Sequence, residues 1–175
     1  MLEKKAKITY IIIAINFLIF LFTSRGLTIT FGLNHLFFDG LYFQIFTSAF
    51  LHGGFLHIAM NMAILYGFGG DLERAIGAWR YIFLYFVGIL GSGIVSAFWV
   101  YLGMRNLEFI NVIGASGAIS ALLGFVASAL PSQRKELIVA ILIMSFLPLL
   151  AGESVAWYSH IGGFVAGYIF AKVAR

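Results

Sequence analysis

The succession of long apolar runs constrains this chain more than any motif in it. Stretches near 8–23, 55–71, 79–103, 112–130, 136–151 and 154–172 are nearly free of charge and are separated by short charged or glycine-rich breaks. A helix of about 20 apolar residues crosses a bilayer, and a helix satisfies every backbone group within its own segment. Several runs are at or below the usual ~17–25 residues, so thin local membrane or buried re-entrant backbone is expected. The chain has no polar surface to spare for a water-soluble domain: 62% of its 175 residues are hydrophobic and 10% are charged, against roughly 45–50% and 25% in soluble domains. The expected fold is an all-α membrane protein, one six-transmembrane-helix domain over 1–175.

The connection 24–54 is about thirty residues, well beyond an ordinary helix–helix loop. It mixes Phe37, Phe38, Tyr42, Phe43 and Phe46 with Gln44, and such amphipathic aromatics suit a partly helical element in the outer interface. A short extra span is the alternative.

Lysine and arginine set the orientation, because short cytoplasmic loops carry their excess. With the N-terminus inside, Lys4, Lys5, Lys7, Arg74, Arg80, Arg134, Lys135, Lys172 and Arg175 are cytoplasmic, and only Arg25 and Arg105 are outside. Both termini are therefore expected in the cytoplasm, with a prokaryotic plasma membrane as the expected location. The net charge of +4 is explained by topology and anionic lipid, and no basic patch is left for nucleic acid. The first run is expected to be a span rather than a signal peptide, because further apolar runs follow it. The absence of cysteine excludes disulfides, thiolate metal sites and a cysteine nucleophile. No cofactor is expected.

Polar groups at membrane depth are costly and so become functional candidates. His52, His57 and Asn61 open the second run, with His57 and Asn61 four apart on one helix face. Gly114-Ala115-Ser116-Gly117 opens the fourth, and Ser159-His160-Ile161-Gly162-Gly163 lies in the sixth. A hydroxyl, an imidazole and a carboxamide are the ingredients of acyl transfer. Entering from the outer face, Ser116 lies about four residues deep and His160 about six, or ~6 and ~9 Å, with Asn61 level with them. Gly163 and Gly167 on the sixth run and Gly117, Ala121 and Gly124 on the fourth would let the two backbones approach closely. Ser116 and His160 would then lie within hydrogen-bond reach. No carboxylate is available as a third member, since Asp71 and Glu73 are cytoplasmic and Glu108 and Glu153 sit in outer loops; the arrangement is a dyad.

These residues resemble the rhomboid family of intramembrane proteases over almost the whole chain. The matching pieces are His52, His57 and Asn61 in a His-x4-His-x3-Asn pattern, Gly114-x-Ser116-Gly117, and His160 with Gly162, Gly163 and Gly167. The resemblance implies Ser116 as nucleophile, His160 as base, and His57, Asn61 and the Ser116 amide as the oxyanion site. It further implies a transmembrane protein substrate cut near its outer end, and a substrate gate formed by the fifth helix with Phe146 and Pro148. Two features depart from the family pattern. Phe43-Gln44 stands where the family often has Trp-Arg to brace the long loop, and Ser120 stands where an aromatic ring commonly packs on the catalytic histidine.

Each residue also has a plainer reading. Ser116 alone would be a helix–helix hydrogen-bonding group, as would Asn16; His52 would cap or orient the loop; Glu73-Arg74 would be a cytoplasmic ion pair of little worth. The coincidence of order and depth favours chemistry for Ser116, His160, His57 and Asn61. The main alternative is a non-catalytic rhomboid-like protein that holds transmembrane clients. A haem or metal protein using His52, His57 and His160 fits poorly, because His52 and His57 face different directions. A transporter would show intramembrane charges or two related halves with broken helices. A monomer suffices to bury the site.

Overall fold

A computed structural model describes residues 6–150 and 154–174. Lys4, Lys5, Glu153, Arg175 and the last position of the expected fifth run, 151, lie outside the described residues. Within them the regular structure is helical: α1 (Lys7–Phe22), α2 (Arg25–Phe31), α3 (Gln44–Thr47), α4 (Phe55–Ile64), α5 (Gly70–Ile76), α6 (Ala78–Arg105), α7 (Ser116–Ala129), α8 (Arg134–Leu150) and α9 (Trp157–Val173). A wide π turn, Leu65–Gly69, joins α4 to α5, so this helical run extends past the expected end at 71. Gly77, at φ 86°, separates α5 from α6 in a conformation that glycine adopts without a side-chain clash. Among the described residues the β-type pairing is one antiparallel bridge, Leu33 with Val112.

By length and composition, α6 is the described helix that could cross a membrane alone. Lys7–Phe22 and Ser116–Ala129 are apolar and shorter, and Gln44–Phe50 with Phe55–Ile76 qualifies only as a pair bent by 92°. Two helices start later than expected. The bridge holds Val112 extended, and Gly114 has φ 126°, so α7 begins at Ser116 rather than near 112. α9 begins at Trp157 rather than 154. Ser116 is thus the first residue of its helix and His160 the fourth, each shallower in its own helix than the sequence suggested.

α7 lies at the centre, buried continuously from Gly117 to Ser128 and packed chiefly on α9 and α6. A side-chain carbon on Gly163 would collide with the carbonyl of Gly117, and one on Gly167 with that of Ala121. Backbone-to-backbone packing of this kind is open only to glycine, and it holds α7 and α9 at a fixed separation. The outward faces carry exposed large apolar side chains, among them Leu21, Phe22, Phe55, Phe83, Phe98 and Leu147.

The segment 24–54 folds into α2, α3 and single 3-10 turns at His35–Phe37 and Ser48–Phe50. Gln44 braces it without an arginine. Fully buried, it accepts from the Asn34 N–H (3.2 Å) and donates to the Thr30 carbonyl (3.0 Å). Asn34 in turn donates to the Ile29 carbonyl (2.7 Å) and to Asn111 Oδ1 (2.9 Å), next to the Leu33–Val112 bridge. The segment is thereby tied to the stretch that leads into Ser116.

One expectation is corrected. Glu73 is not paired with Arg74, whose guanidinium meets Asp71. Glu73 is buried and accepts from the N–H of Ile8 (3.0 Å), the N–H of Thr9 (2.7 Å) and Thr9 Oγ1 (2.8 Å). A carboxylate here satisfies donors that the first turn of α1 cannot satisfy itself. Asn16, fully buried, donates to the Ile12 carbonyl of its own helix (2.8 Å) and faces the buried hydroxyl of Tyr85 on α6.

Candidate active site

The geometry centres on the N-termini of two short-range-packed helices. Ser116, half-buried at the first position of α7, and His160, 5% exposed in the first turn of α9, meet with Oγ and Nε2 2.8 Å apart. As the first helical residue, Ser116 also presents a backbone N–H with no partner inside the helix.

The other ring nitrogen of His160, Nδ1, lies 3.3 Å from Oγ of Ser145, a fully buried residue of α8. Ser120 does not reach the ring; its hydroxyl donates to the Ser116 carbonyl at 2.6 Å, the back-bonding common for serine inside helices. Ser145 is not conspicuous in the sequence. The only signal in the sequence is a lone hydroxyl in the apolar stretch 137–150.

His57, half-buried on α4, accepts from the Gly53 N–H through Nδ1 (3.4 Å), which places its proton on Nε2. Asn61, 6% exposed, donates to the His57 carbonyl at 2.8 Å, leaving a second amide hydrogen. Gly114 connects the two halves of the site. A carbon added to its Cα would stand 2.8 Å from His57 Nε2 and 3.6 Å from Ser116 Oγ. The absence of a side chain therefore keeps open a space one atom wide between the imidazole N–H and the serine hydroxyl. Gly163 acts differently, through the close contact of α9 with the Gly117 backbone of α7, and Gly117 leaves room for Ser92 of α6 and Ser159 of α9.

His52 stands apart from the Ser116–His160 contact. It is 4% exposed, and its ring lies 5.0 Å from that of His57. Burial, and then the neighbouring His57, hold its pKa down to about 4. Together with Gly53, Gly54, Arg25 and Thr28 it borders an open cavity of ≈ 490 Å³. A much smaller polar cavity, ≈ 10 Å³, lies behind Gly114 among Ser48, Ser92, Ser96 and Ser159. No cluster of three or more metal-binding side chains occurs among the described residues.

The family model described as the rhomboid domain matches residues 39–175. The chain belongs to the rhomboid family. Similar curated proteins include the rhomboid protease GluP of Bacillus subtilis, 29% identical over 184 residues covering 95% of this chain and 34% of the relative. RHOMBOID-like protein 4 of Arabidopsis thaliana is 31% identical over 138 residues, 74% of this chain and 33% of the relative. The rhomboid-type serine protease 2 of Emericella nidulans is 36% identical over 136 residues, 72% of this chain and 25% of the relative. The chain thus spans about a quarter to a third of the length of these three. Rhomboid proteins are integral membrane proteins, and at the family level their chemistry is that of intramembrane serine proteases. Relatives from a bacterium, a plant and a fungus do not single out a prokaryotic origin.

Proposed function

We propose that this rhomboid protein is an intramembrane serine endopeptidase that cuts transmembrane segments of other proteins near their extracytoplasmic end. The observation that carries the reading is the 2.8 Å contact of Ser116 Oγ with His160 Nε2, a nucleophile and base contributed by two helices held together by glycine. Ser116 attacks the peptide carbonyl as His160 takes its proton. His160 then returns the proton to the leaving amine, and water hydrolyses the acyl-enzyme by the reverse relay. The developing oxyanion falls in the space beside Gly114, where the Ser116 N–H, His57 Nε2–H and the Asn61 amide supply donors. The serine-lined cavity behind Gly114 has room for about one water.

The exposed apolar faces suit lipid, which removes the penalty such a surface would carry in water. In this reading α1, the α4–α5 run, α6, α7, α8 and α9 are the six crossings, with both termini cytoplasmic. Arg134 and Lys172, both counted as cytoplasmic, flank the same Tyr168 ring at 5.8 and 5.0 Å. The 14 residues of α7 span ~21 Å, about 9 Å less than the ~30 Å hydrocarbon core. With its far end near the cytoplasmic interface, Ser116 is sunk below the outer surface while staying only half-buried. One bundle completes the site, so a monomer is sufficient.

The test is cleavage of a panel of single-span reporters co-reconstituted in vesicles. Products formed by the native chain and absent with Ser116→Ala are expected. If no reporter is cut while reporters co-purify with the native chain, the protein holds transmembrane clients without cleaving them.

A further inference from the structure

We infer that Ser145 is the positioning residue for His160, fixing the ring in the tautomer that can act as a base. This rests on the reading of Ser116 and His160 as a dyad. A neutral imidazole carries one proton. For Nε2 to accept from the Ser116 hydroxyl the proton must sit on Nδ1, where it needs an acceptor of its own. In serine hydrolases with a triad a carboxylate fills that role. Here the atom facing Nδ1 is Ser145 Oγ, at 3.3 Å. The described acidic side chain that is buried, Glu73, is occupied by Ile8 and Thr9 at the first turn of α1.

Three further observations support the assignment. Ser145 and Ile141 are the only described side chains buried on α8, so this helix offers the core one hydroxyl, and it is the one that meets His160. The next residue, Phe146, stacks on Trp157 at 5.7 Å, which sets the register of α8 against the first turn of α9. Ser120, at the position where a ring would steady His160, is committed to the Ser116 carbonyl. A hydroxyl at the ring's far edge thus replaces a ring on its face. Because the acceptor is uncharged, it orients the base without fixing an ion pair inside the bundle.

The experiment follows inactivation of the full chain in detergent micelles by a fluorophosphonate, for the native protein and Ser145→Ala, Ser145→Thr and Ser145→Val. Alongside, ¹⁵N-histidine spectra report which nitrogen of His160 is protonated. The role of Ser145 requires that Ala and Val lower the maximal inactivation rate about tenfold to a hundredfold, below the ~10²–10⁴ contribution of a whole general base. The half-saturating probe concentration stays within about twofold, Thr restores the rate, and the Nδ1–H form of His160 gives way to Nε2–H in the Ala and Val proteins. Rates within about twofold of native in Ser145→Ala, or a slow Ser145→Ala whose His160 tautomer is unchanged and which Thr does not rescue, overturn it. A native chain that never labels overturns the protease reading itself, and this inference with it. The tautomer spectra distinguish that failure from loss of Ser145 alone.

Discussion

Replacing Gly114 by alanine combines two separable penalties. At φ 126° an L-residue is strained by about 1–3 kcal/mol, which for a chain of this size lowers the melting temperature by roughly 2–12 °C. The added methyl would also stand 2.8 Å from His57 Nε2 and 2.9 Å from Cε1, inside van der Waals contact, in the space assigned to the oxyanion. Loss of one oxyanion donor lowers turnover by about 10²–10³, and a methyl there obstructs the whole space. Gly40→Ala is the control, because Gly40 has φ 107° but nothing within 4 Å of an added carbon. Fluorophosphonate labelling rates and thermal melts in the same detergent separate the terms. Both variants should melt early, and only Gly114→Ala should lose labelling, by at least about a hundredfold. Labelling of Gly114→Ala within about threefold of Gly40→Ala would show that the oxyanion does not occupy that space.

Gln44→Leu leaves the Asn34 N–H and the Thr30 carbonyl without their partner; at about 1–3 kcal/mol for each buried group, the melt should fall and limited proteolysis within 24–54 should quicken. Glu73→Gln sets an amide NH₂ against the donors of Ile8 and Thr9 and should destabilise by about 2–4 kcal/mol, while the folded protein labels at the native rate. His52 is harder to protonate in the folded chain than in the unfolded one, so the unfolded state takes up protons first as pH falls. Stability should therefore decline from pH 6.5 towards about 4, by up to about 3 kcal/mol, and His52→Phe should flatten that part of the profile in thermal melts.

The candidates Ser116, His160, His57 and Asn61 stand out in the sequence because a polar group in an apolar run needs a reason, and because three runs carry theirs near one end. The glycines of α7 and α9 were legible for a related reason: small residues four apart mark where backbones can touch. What the chain hid lies in pairings distant in sequence. Ser145 reads as any helix hydroxyl until the stacking of Phe146 on Trp157 turns it towards His160. Glu73 beside Arg74 suggested an ion pair, but consecutive helix residues do not face each other, and its partners are on α1, 64 and 65 residues away. Gln44 seemed a lost brace because its charge was missing; its amide, able to donate and accept at once, makes contacts that charge is not needed for. The late starts of α7 and α9 were hidden because hydropathy does not distinguish the extended stretch at Val112 from the helix after it.

Mass spectrometric mapping of the fluorophosphonate adduct on the chain in lipid nanodiscs tests whether the serine at position 116 is activated. One adduct is expected, on Ser116, lost in both Ser116→Ala and His160→Ala. An adduct on another residue, or one on Ser116 that forms equally fast in His160→Ala, would contradict it.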